Sequence, residues 1–206
     1  MIGSRPAAGA AVHPSADGMA VAVPGGMKSP TRIIAGVTVP DTELVSRALQ
    51  YVRSDSNPFL FNHVVRSWLF AVRLGQLQNL SYDPEVVAVG TLFHDIGRFV
   101  LEAADLASEF ARSTGMGATR ARLVWHCVAL NSSRCLALSR EVESVLCSEG
   151  TSVDMEGEVS RRIPRAEIEL IQNEFPRLLQ EPNLREFCGG WPVKGGVREA
   201  RTFWGS

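Results

Sequence analysis

The stretch Asp83-Pro-Glu-Val-Val-Ala-Val-Gly-Thr-Leu-Phe-His-Asp-Ile-Gly-Arg98 decides the fold class. Asp83-Pro84 predicts a helix start, because aspartate caps free backbone N–H groups and proline is tolerated at the first helical position. Apolar residues then recur at helical spacing before Gly97, which favours a helix end. These apolar residues are Val86, Val89, Phe93 and Ile96. The stretch therefore predicts an amphipathic helix that ends beside His94 and Asp95.

The same start and stop signals recur on both sides of this stretch. Earlier in the chain, Asp41 and Asn57-Pro58 each predict the first residue of a helix. Later helices are predicted over Leu101–Ser113, Ala118–Leu130 and Ser139–Cys147, with a last one opening at Pro164. No window shows sustained two-residue alternation of β-branched residues. We therefore predict an all-α fold, a bundle of about six to seven helices.

The composition changes at both ends of this helical region. Residues 1–32 are rich in Ala, Gly, Pro and Ser without a helical or strand period, which predicts a flexible leader. Residues 33–180 form the predicted domain. Residues 181–206 are predicted to be an irregular tail, because four glycines and a proline follow Phe187 within ten residues.

The overall composition narrows the classes of partner. The formal net charge of −1 gives no basic surface for nucleic acid or anionic lipid, so neither partner is expected. No apolar run approaches the roughly 20 residues that cross a bilayer, and the N-terminus is a poor secretory signal. The four cysteines form no Cys-x-x-Cys pair, which predicts free thiols and a reducing cytoplasm. A homo-oligomer is compatible with these features.

The pair His94-Asp95 is the main indication of chemistry. A histidine and a carboxylate at a helix end can turn toward one point, and both suit a divalent cation. The alternative is that Asp95 caps the turn before Gly97 while His94 packs in the core. His63 lies on the preceding predicted helix, and two antiparallel helices would bring His63 near this pair.

The order His63, His94-Asp95 and a later aspartate resembles the HD superfamily of metal-dependent phosphohydrolases and their relatives. The closer resemblance is to the cyanamide hydratase-like branch. It rests on three segments besides the His-Asp helix, namely Ile34–Asp41, Ser56–His63 and Leu123–Leu130. The likeness runs from about Ile33 to Leu179 and implies an HD-domain helical bundle.

The resemblance implies a set of functional residues. His63, His94, Asp95 and Asp154 would bind one divalent metal ion, most readily Zn²⁺, with Mn²⁺, Fe²⁺ and Ni²⁺ as alternatives. From the residues alone, Asp154 is predicted to lie in a loop, where it would cap a turn before Gly157. Glu102 is a candidate acid in the pocket, or a capping carboxylate at a helix start.

Two positions depart from the family pattern. Asn131-Ser132 stands where the family usually has His-Thr, and an amide is a poorer zinc ligand than imidazole. Arg98 follows Gly97 where the cyanamide branch has a small residue, so it either holds an anionic substrate or is a solvated charge.

The function implied by the resemblance is hydration of a small nitrile such as cyanamide, giving urea. A metal-bound hydroxide would attack the nitrile carbon, with Asp95, Glu102 and Asn131 as the catalytic residues. The apolar neighbours Phe59, Phe61 and Phe93 suit a small uncharged substrate. The alternatives are a phosphohydrolase acting on a nucleotide-like phosphoester, for which Arg66 and Arg98 are the candidate phosphate contacts, and a catalytically degenerate metal-binding relative.

Overall fold

The computed structural model describes residues 30–97, 99–133, 141–156 and 162–178. Within these ranges the chain forms seven helices and a single two-stranded sheet, which confirms the predicted all-α class. The helices, numbered in chain order, are α1 (Glu43–Asp55), α2 (Pro58–Leu77), α3 (Pro84–Phe93), α4 (Val100–Ser113), α5 (Ala118–Ala129), α6 (Val142–Glu156) and α7 (Arg165–Glu174). Residues 1–29 of the predicted leader, residues 179 and 180 at the end of the predicted domain, and the whole predicted tail, residues 181–206, lie outside the described residues.

An antiparallel hairpin precedes the helices, and the sequence patterns did not predict it. Strands β1 (Thr31–Ile34) and β2 (Val37–Pro40) are joined by a two-residue turn, in which Ala35 and Gly36 have φ angles of 47° and 79°. Positive φ at both central positions suits the right-handed twist of a tight hairpin. The hairpin thus begins at Thr31, two residues before the predicted domain boundary at Ile33.

Helix α1 begins one residue later than predicted. Its cap is Thr42, whose Oγ1 accepts a hydrogen bond from the Val45 N–H at 3.3 Å. Asp41 instead lies 3.5 Å from Arg32 of β1. The predicted cap at Asp41 is therefore wrong, because a threonine one position later fills the same role.

The two starts marked by an Asx-Pro pair are confirmed. Asn57 Oδ1 accepts from the Leu60 N–H at 2.8 Å at the start of α2. Asp83 Oδ1 accepts from the backbone N–H groups of Glu85 and Val86 at 3.1 and 3.2 Å at the start of α3. Both caps are local features, since the bonded groups lie two or three residues apart.

Helix α2 is the centre of the bundle and packs against α1, α3, α6, α7 and β2. Trp68, Leu69, Phe70 and Ala71 are consecutive residues, and all four are fully buried. A helix whose successive residues are all buried is enclosed on every side. Helices α1, α3, α6 and α7 therefore surround the middle of α2, where the side chains face the interior.

Helix α6 is longer than predicted. The sequence predicted a helix over Ser139–Cys147 followed by a loop through Asp154, whereas α6 runs from Val142 to Glu156 and places Asp154 in its last turn. The predicted start at Ser139 lies outside the described residues. The loop prediction for Asp154 is wrong because Gly150 is helical, packed against α2 at Ser67 and Ala71. Asp154 is consequently held by a rigid element.

The remaining predictions about the fold have clear outcomes. Helices α4 and α5 lie within one residue of their predicted bounds, and Pro164 precedes α7 as predicted. Cys127 and Cys147 are buried free thiols, as expected. None of the helices in the described ranges is both long enough and apolar enough to span a membrane.

Candidate metal centre

The structure brings three predicted ligands together in the interior. His63 lies in the second turn of α2, and His94 and Asp95 form the turn that follows α3. The His63 side chain is fully buried, that of His94 is 1% exposed, and that of Asp95 is 11% exposed. The antiparallel arrangement of α2 and α3 therefore brings His63 to the His94-Asp95 pair, as the sequence predicted.

The three side chains converge on one point. The Nε2 atoms of His63 and His94 lie 3.3 Å apart. Asp95 Oδ2 lies 3.4 Å from Nε2 of His63 and 3.3 Å from Nε2 of His94. Three potential ligand atoms thus form a nearly equilateral triangle.

The outer nitrogen of each histidine faces an acceptor. His63 Nδ1 is 2.7 Å from Asp154 Oδ2, and His94 Nδ1 is 2.6 Å from the carbonyl oxygen of Thr91. A carboxylate and a carbonyl oxygen only accept, so each Nδ1 donates its N–H. In the neutral tautomer with its single N–H at Nδ1, each imidazole has an Nε2 lone pair that faces the triangle.

Asp95 adds a negatively charged carboxylate to the two converging Nε2 atoms. Burial raises the pKa of Asp95, but the neighbouring His94 and His63 side chains lower it by more, so its pKa lies well below the usual value. Although its Oδ2 is close to both histidines, this buried atom makes no hydrogen bond of good geometry. Two imidazole nitrogens and a carboxylate oxygen are ligand types that suit a divalent cation, and the cluster could hold a metal ion.

Asp154 lies outside this triangle, on the opposite side of the His63 ring. Arg66 binds its carboxylate with two hydrogen bonds, from Nε to Oδ1 and from Nη2 to Oδ2, both at 2.8 Å. Arg177 Nη2 donates to Oδ1 at 3.1 Å and also to the Asp154 carbonyl oxygen. Burial raises the pKa of Asp154, but hydrogen bonds from His63 and Arg66 lower it by more, which keeps it ionised. The structure brings Asp154 to the site without adding it to the three converging atoms.

The two other predicted catalytic residues lie on separate elements. Glu102 is exposed in the first turn of α4. Asn131 follows α5, where its Oδ1 accepts from Thr151 Oγ1 of α6 at 3.3 Å and its carbonyl oxygen accepts from Ser148 Oγ at 3.2 Å. Catalytic roles for both residues stay predictions. Arg98 lies outside the described residues.

The predicted aromatic neighbours do not form one group. Phe59 is buried one helical turn before His63. Phe93 stacks on Tyr51 with ring centroids 5.2 Å apart, and lies 4.8 Å from the ring of Phe110. Phe61 instead lines two adjoining surface cavities, together with Arg53 and Phe175. Phe59 alone thus shares a helix face with a member of the cluster.

Arg66 is the residue near the site whose role the sequence analysis missed. It was considered as a contact for phosphate, whereas its guanidinium is fully buried against Asp154. An arginine inside the apolar run from Val64 to Phe70 is itself an indication, since a buried charge requires a partner of opposite sign. The sequence does not reveal which acid is that partner.

Comparison with known proteins finds no family model that matches this chain. No characterised protein matches it either. The resemblance to the HD superfamily rests on the motifs quoted above and stays a prediction.

Proposed function

We propose that this protein hydrates a small nitrile such as cyanamide, using one divalent cation held by His63, His94 and Asp95. The convergence of two lone-pair nitrogens and an ionised carboxylate oxygen is the observation that supports the proposal. When bound, a divalent cation supplies Lewis acidity and a nucleophile derived from water near neutral pH.

The spacing of the three atoms favours zinc. Atoms at about 2.0–2.1 Å from a zinc ion lie about 3.3–3.4 Å from one another when the coordination is tetrahedral. The three separations in the cluster, 3.3, 3.4 and 3.3 Å, agree with that value.

An uncharged substrate is favoured by the arrangement of the arginines. A phosphoester needs cationic groups that face it, and Arg66 was one of two candidates for this role. Its Nε and Nη2 bind Asp154, and its Nη1 donates to the Phe175 carbonyl oxygen at 2.9 Å. Arg66 thus uses three of its five N–H groups within the protein and its side chain is fully buried, so it does not face a substrate, whereas a nitrile needs no such cation.

The proposed reaction adds one water molecule across a C≡N bond. The oxygen joins the carbon, and both hydrogens end on the nitrogen once the product reaches its amide form. Asp95 and the two histidines supply fixed negative charge and lone pairs at the centre. Glu102 and Asn131 remain the proposed groups for proton delivery and for stabilising charge on the nitrogen.

The test combines metal analysis with a product assay on the purified full chain. We expect about one zinc per chain after loading, and urea when cyanamide is added. His94→Ala and Asp95→Ala should lose both metal and product. His126→Ala is the matched control, because His126 lies on α5 beside Glu141, at 3.4 Å, and is not one of the three converging residues; it should keep both.

The outcome that contradicts the proposal is zinc-loaded protein that makes neither urea nor amide from any small nitrile. A phosphate-release screen then distinguishes the two alternatives. Phosphate release from a nucleotide-like ester would indicate a phosphohydrolase. Stoichiometric metal without turnover of either substrate class would indicate a non-catalytic metal-binding protein.

A further inference from the structure

We propose that Asp154 is a positioning residue that orients the His63 ring through Nδ1, and that Arg66 holds Asp154 away from the metal. The inference rests on the metal site of the proposed function and specifies how that site is built. It replaces a four-ligand centre with a centre of three protein ligands.

The first argument is that both carboxylate oxygens of Asp154 are already occupied. Oδ2 accepts from His63 Nδ1 at 2.7 Å and from Arg66 Nη2 at 2.8 Å. Oδ1 accepts from Arg66 Nε at 2.8 Å and from Arg177 Nη2 at 3.1 Å. Each oxygen has two donors and its side chain is fully buried, so binding a metal would require breaking at least one charge-assisted bond.

The second argument concerns the direction of the His63 ring. The two nitrogens of an imidazole face different sides of the ring. Nε2 of His63 faces His94 and Asp95, while Nδ1 faces Asp154. An acid bonded to Nδ1 fixes the ring and makes Nε2 a better electron donor, as carboxylates behind metal-binding histidines commonly do.

The third argument is that Arg66 is anchored to three elements at once. It lies three residues after His63 on α2, contacts Asp154 of α6, and donates through Nη1 to the Phe175 carbonyl oxygen after α7. Its guanidinium is fully buried, so separating it from Asp154 would leave an unpaired charge in the interior. Arg66 therefore keeps Asp154 in place against attraction by the cation.

A three-ligand centre has a chemical consequence for the proposed reaction. Tetrahedral catalytic zinc sites have three protein ligands and keep the fourth position for water or substrate. With Asp154 bonded to Nδ1 of His63, the fourth position would remain free for water or substrate. With Asp154 on the metal, the position would be filled by protein.

The experiment measures metal affinity and ligand geometry, neither of which requires a substrate. Zinc affinity is determined by competition with a chromophoric chelator for the wild type, Asp154→Asn and Asp154→Ala. We expect Asp154→Ala to weaken binding by about 10–100-fold, the usual effect of losing such an outer partner. Asp154→Asn should weaken it less, because its amide oxygen still accepts from Nδ1 of His63. His94→Ala, which removes a ligand, should weaken it more than either.

A crystal structure of the zinc-loaded wild type decides the question directly. We expect Asp154 Oδ2 to remain on Nδ1 of His63, with zinc bound to Nε2 of both histidines and to Asp95. A carboxylate oxygen of Asp154 bonded to zinc, or an Asp154→Asn variant as weak as His94→Ala, would overturn the proposal. Where Asp154→Asn fails to fold beside the Arg66 guanidinium, the double variant with Arg66→Met removes both buried charges and keeps the amide.

The two proposals fail in distinguishable ways. Absence of nitrile hydration leaves the affinities and the zinc coordination intact. Asp154 found on the metal would overturn the positioning role, whether or not the hydration assay yields urea.

Discussion

Gly150 is a residue at which α6 closely approaches α2. A Cβ atom added there would lie 2.4 Å from the Ser67 carbonyl oxygen and 2.7 Å from Cβ of Ala71. Gly150 lies one helical turn before Asp154, and Ser67 lies one turn after His63, so this contact and the Asp154–His63 bond belong to the same pair of helix faces. The absence of a side chain at position 150 therefore sets the distance between Asp154 and His63.

Replacing Gly150 by alanine should damage both the fold and the site. Because the clash is with backbone and a short side chain, the two helices must separate, and we expect the free energy of unfolding to fall by about 1–3 kcal/mol. Zinc affinity should fall as well, since Asp154 moves away from His63. Urea denaturation followed by circular dichroism and chelator competition measure the two effects.

The matched control for this substitution is Gly117→Ala. Nothing lies within 4 Å of a Cβ atom at Gly117, which precedes α5 with φ at −62°. Its unfolding free energy should change by less than about 1 kcal/mol. Equal effects of the two substitutions would contradict the role assigned to Gly150.

Among the helices, α3, α5 and α6 meet at one acidic residue, Asp83. Its carboxylate caps α3 and accepts two hydrogen bonds from Arg120 of α5, at 2.6 and 2.8 Å. Its own N–H donates to Glu143 Oε1 of α6 at 2.8 Å. Since α3 ends at His94, this junction holds the helix that presents two of the three converging residues.

The Asp83–Arg120 pair should make stability depend on acidity. Burial raises the pKa of Asp83, but hydrogen bonds from Arg120 and from the backbone of α3 lower it by more, so its folded pKa lies below the usual value. A depressed carboxyl pKa gives stability that is complete above the unfolded pKa, about 3.9, and is lost as the pH falls below it. We expect Asp83→Ala to cost about 1–2 kcal/mol at pH 7 and progressively less below pH 4.

Two further variants separate the ionic contact of Asp83 from its role as a helix cap and compare it with an exposed ion pair. Asp83→Asn keeps a good helix cap and removes the ionic contact, so it should retain part of the stability. Glu169→Gln removes an exposed pair with Arg165 on α7 and should change stability by less than about 0.5 kcal/mol. Unfolding curves between pH 3 and 7 make the comparison, and a constant loss for Asp83→Ala across that range would contradict the assignment.

The sequence predicted the helices whose first residues are set by hydrogen bonds to groups nearby in the chain. Asn57 and Asp83 bond to N–H groups two or three positions away, so their helices begin where expected. Helix α6 was predicted too short because glycine costs a lone helix about 1 kcal/mol. Its continuation past Gly150 depends on α2, which no local pattern reveals. The hairpin at Ala35-Gly36 was missed because its strands have only four residues each.

The candidate site likewise has features that neighbouring residues determine and features that packing between helices determines. His63 and His94 could be predicted to meet because they lie on consecutive antiparallel helices. The position of Asp154 could not, since it depends on the distance between α2 and α6 and on the buried charge of Arg66. Which nitrogen of the His63 ring an acid contacts depends on how the helices pack, and local sequence does not reveal it.

For the molecule as a whole, the proposed metal centre predicts that stability depends on the metal. The cluster of His63, His94 and Asp95 could hold a metal ion, and the unfolded chain lacks this site, so a bound cation would stabilise the folded state. Zinc at about a thousand times its dissociation constant should add about 4 kcal/mol. For a chain of this size that corresponds to a rise of about 8–16 °C in the unfolding temperature.

Differential scanning calorimetry with zinc and with a chelator measures this shift. His126→Ala should show the wild-type difference between the two conditions, and His94→Ala should show none. An unfolding temperature that zinc leaves unchanged in the wild type would contradict a metal centre at these residues.

The distance along the chain between His63 and Asp154 has a consequence for biosynthesis. Ninety-one residues separate them, so His63, His94 and Asp95 leave the ribosome well before the acid that orients the first histidine. Until α6 has emerged and docked, the His63 imidazole lacks the acid that orients it, whereas His94 already has its local partner, the Thr91 carbonyl oxygen. A preformed site for the proposed cation therefore requires α6 to be synthesised and docked.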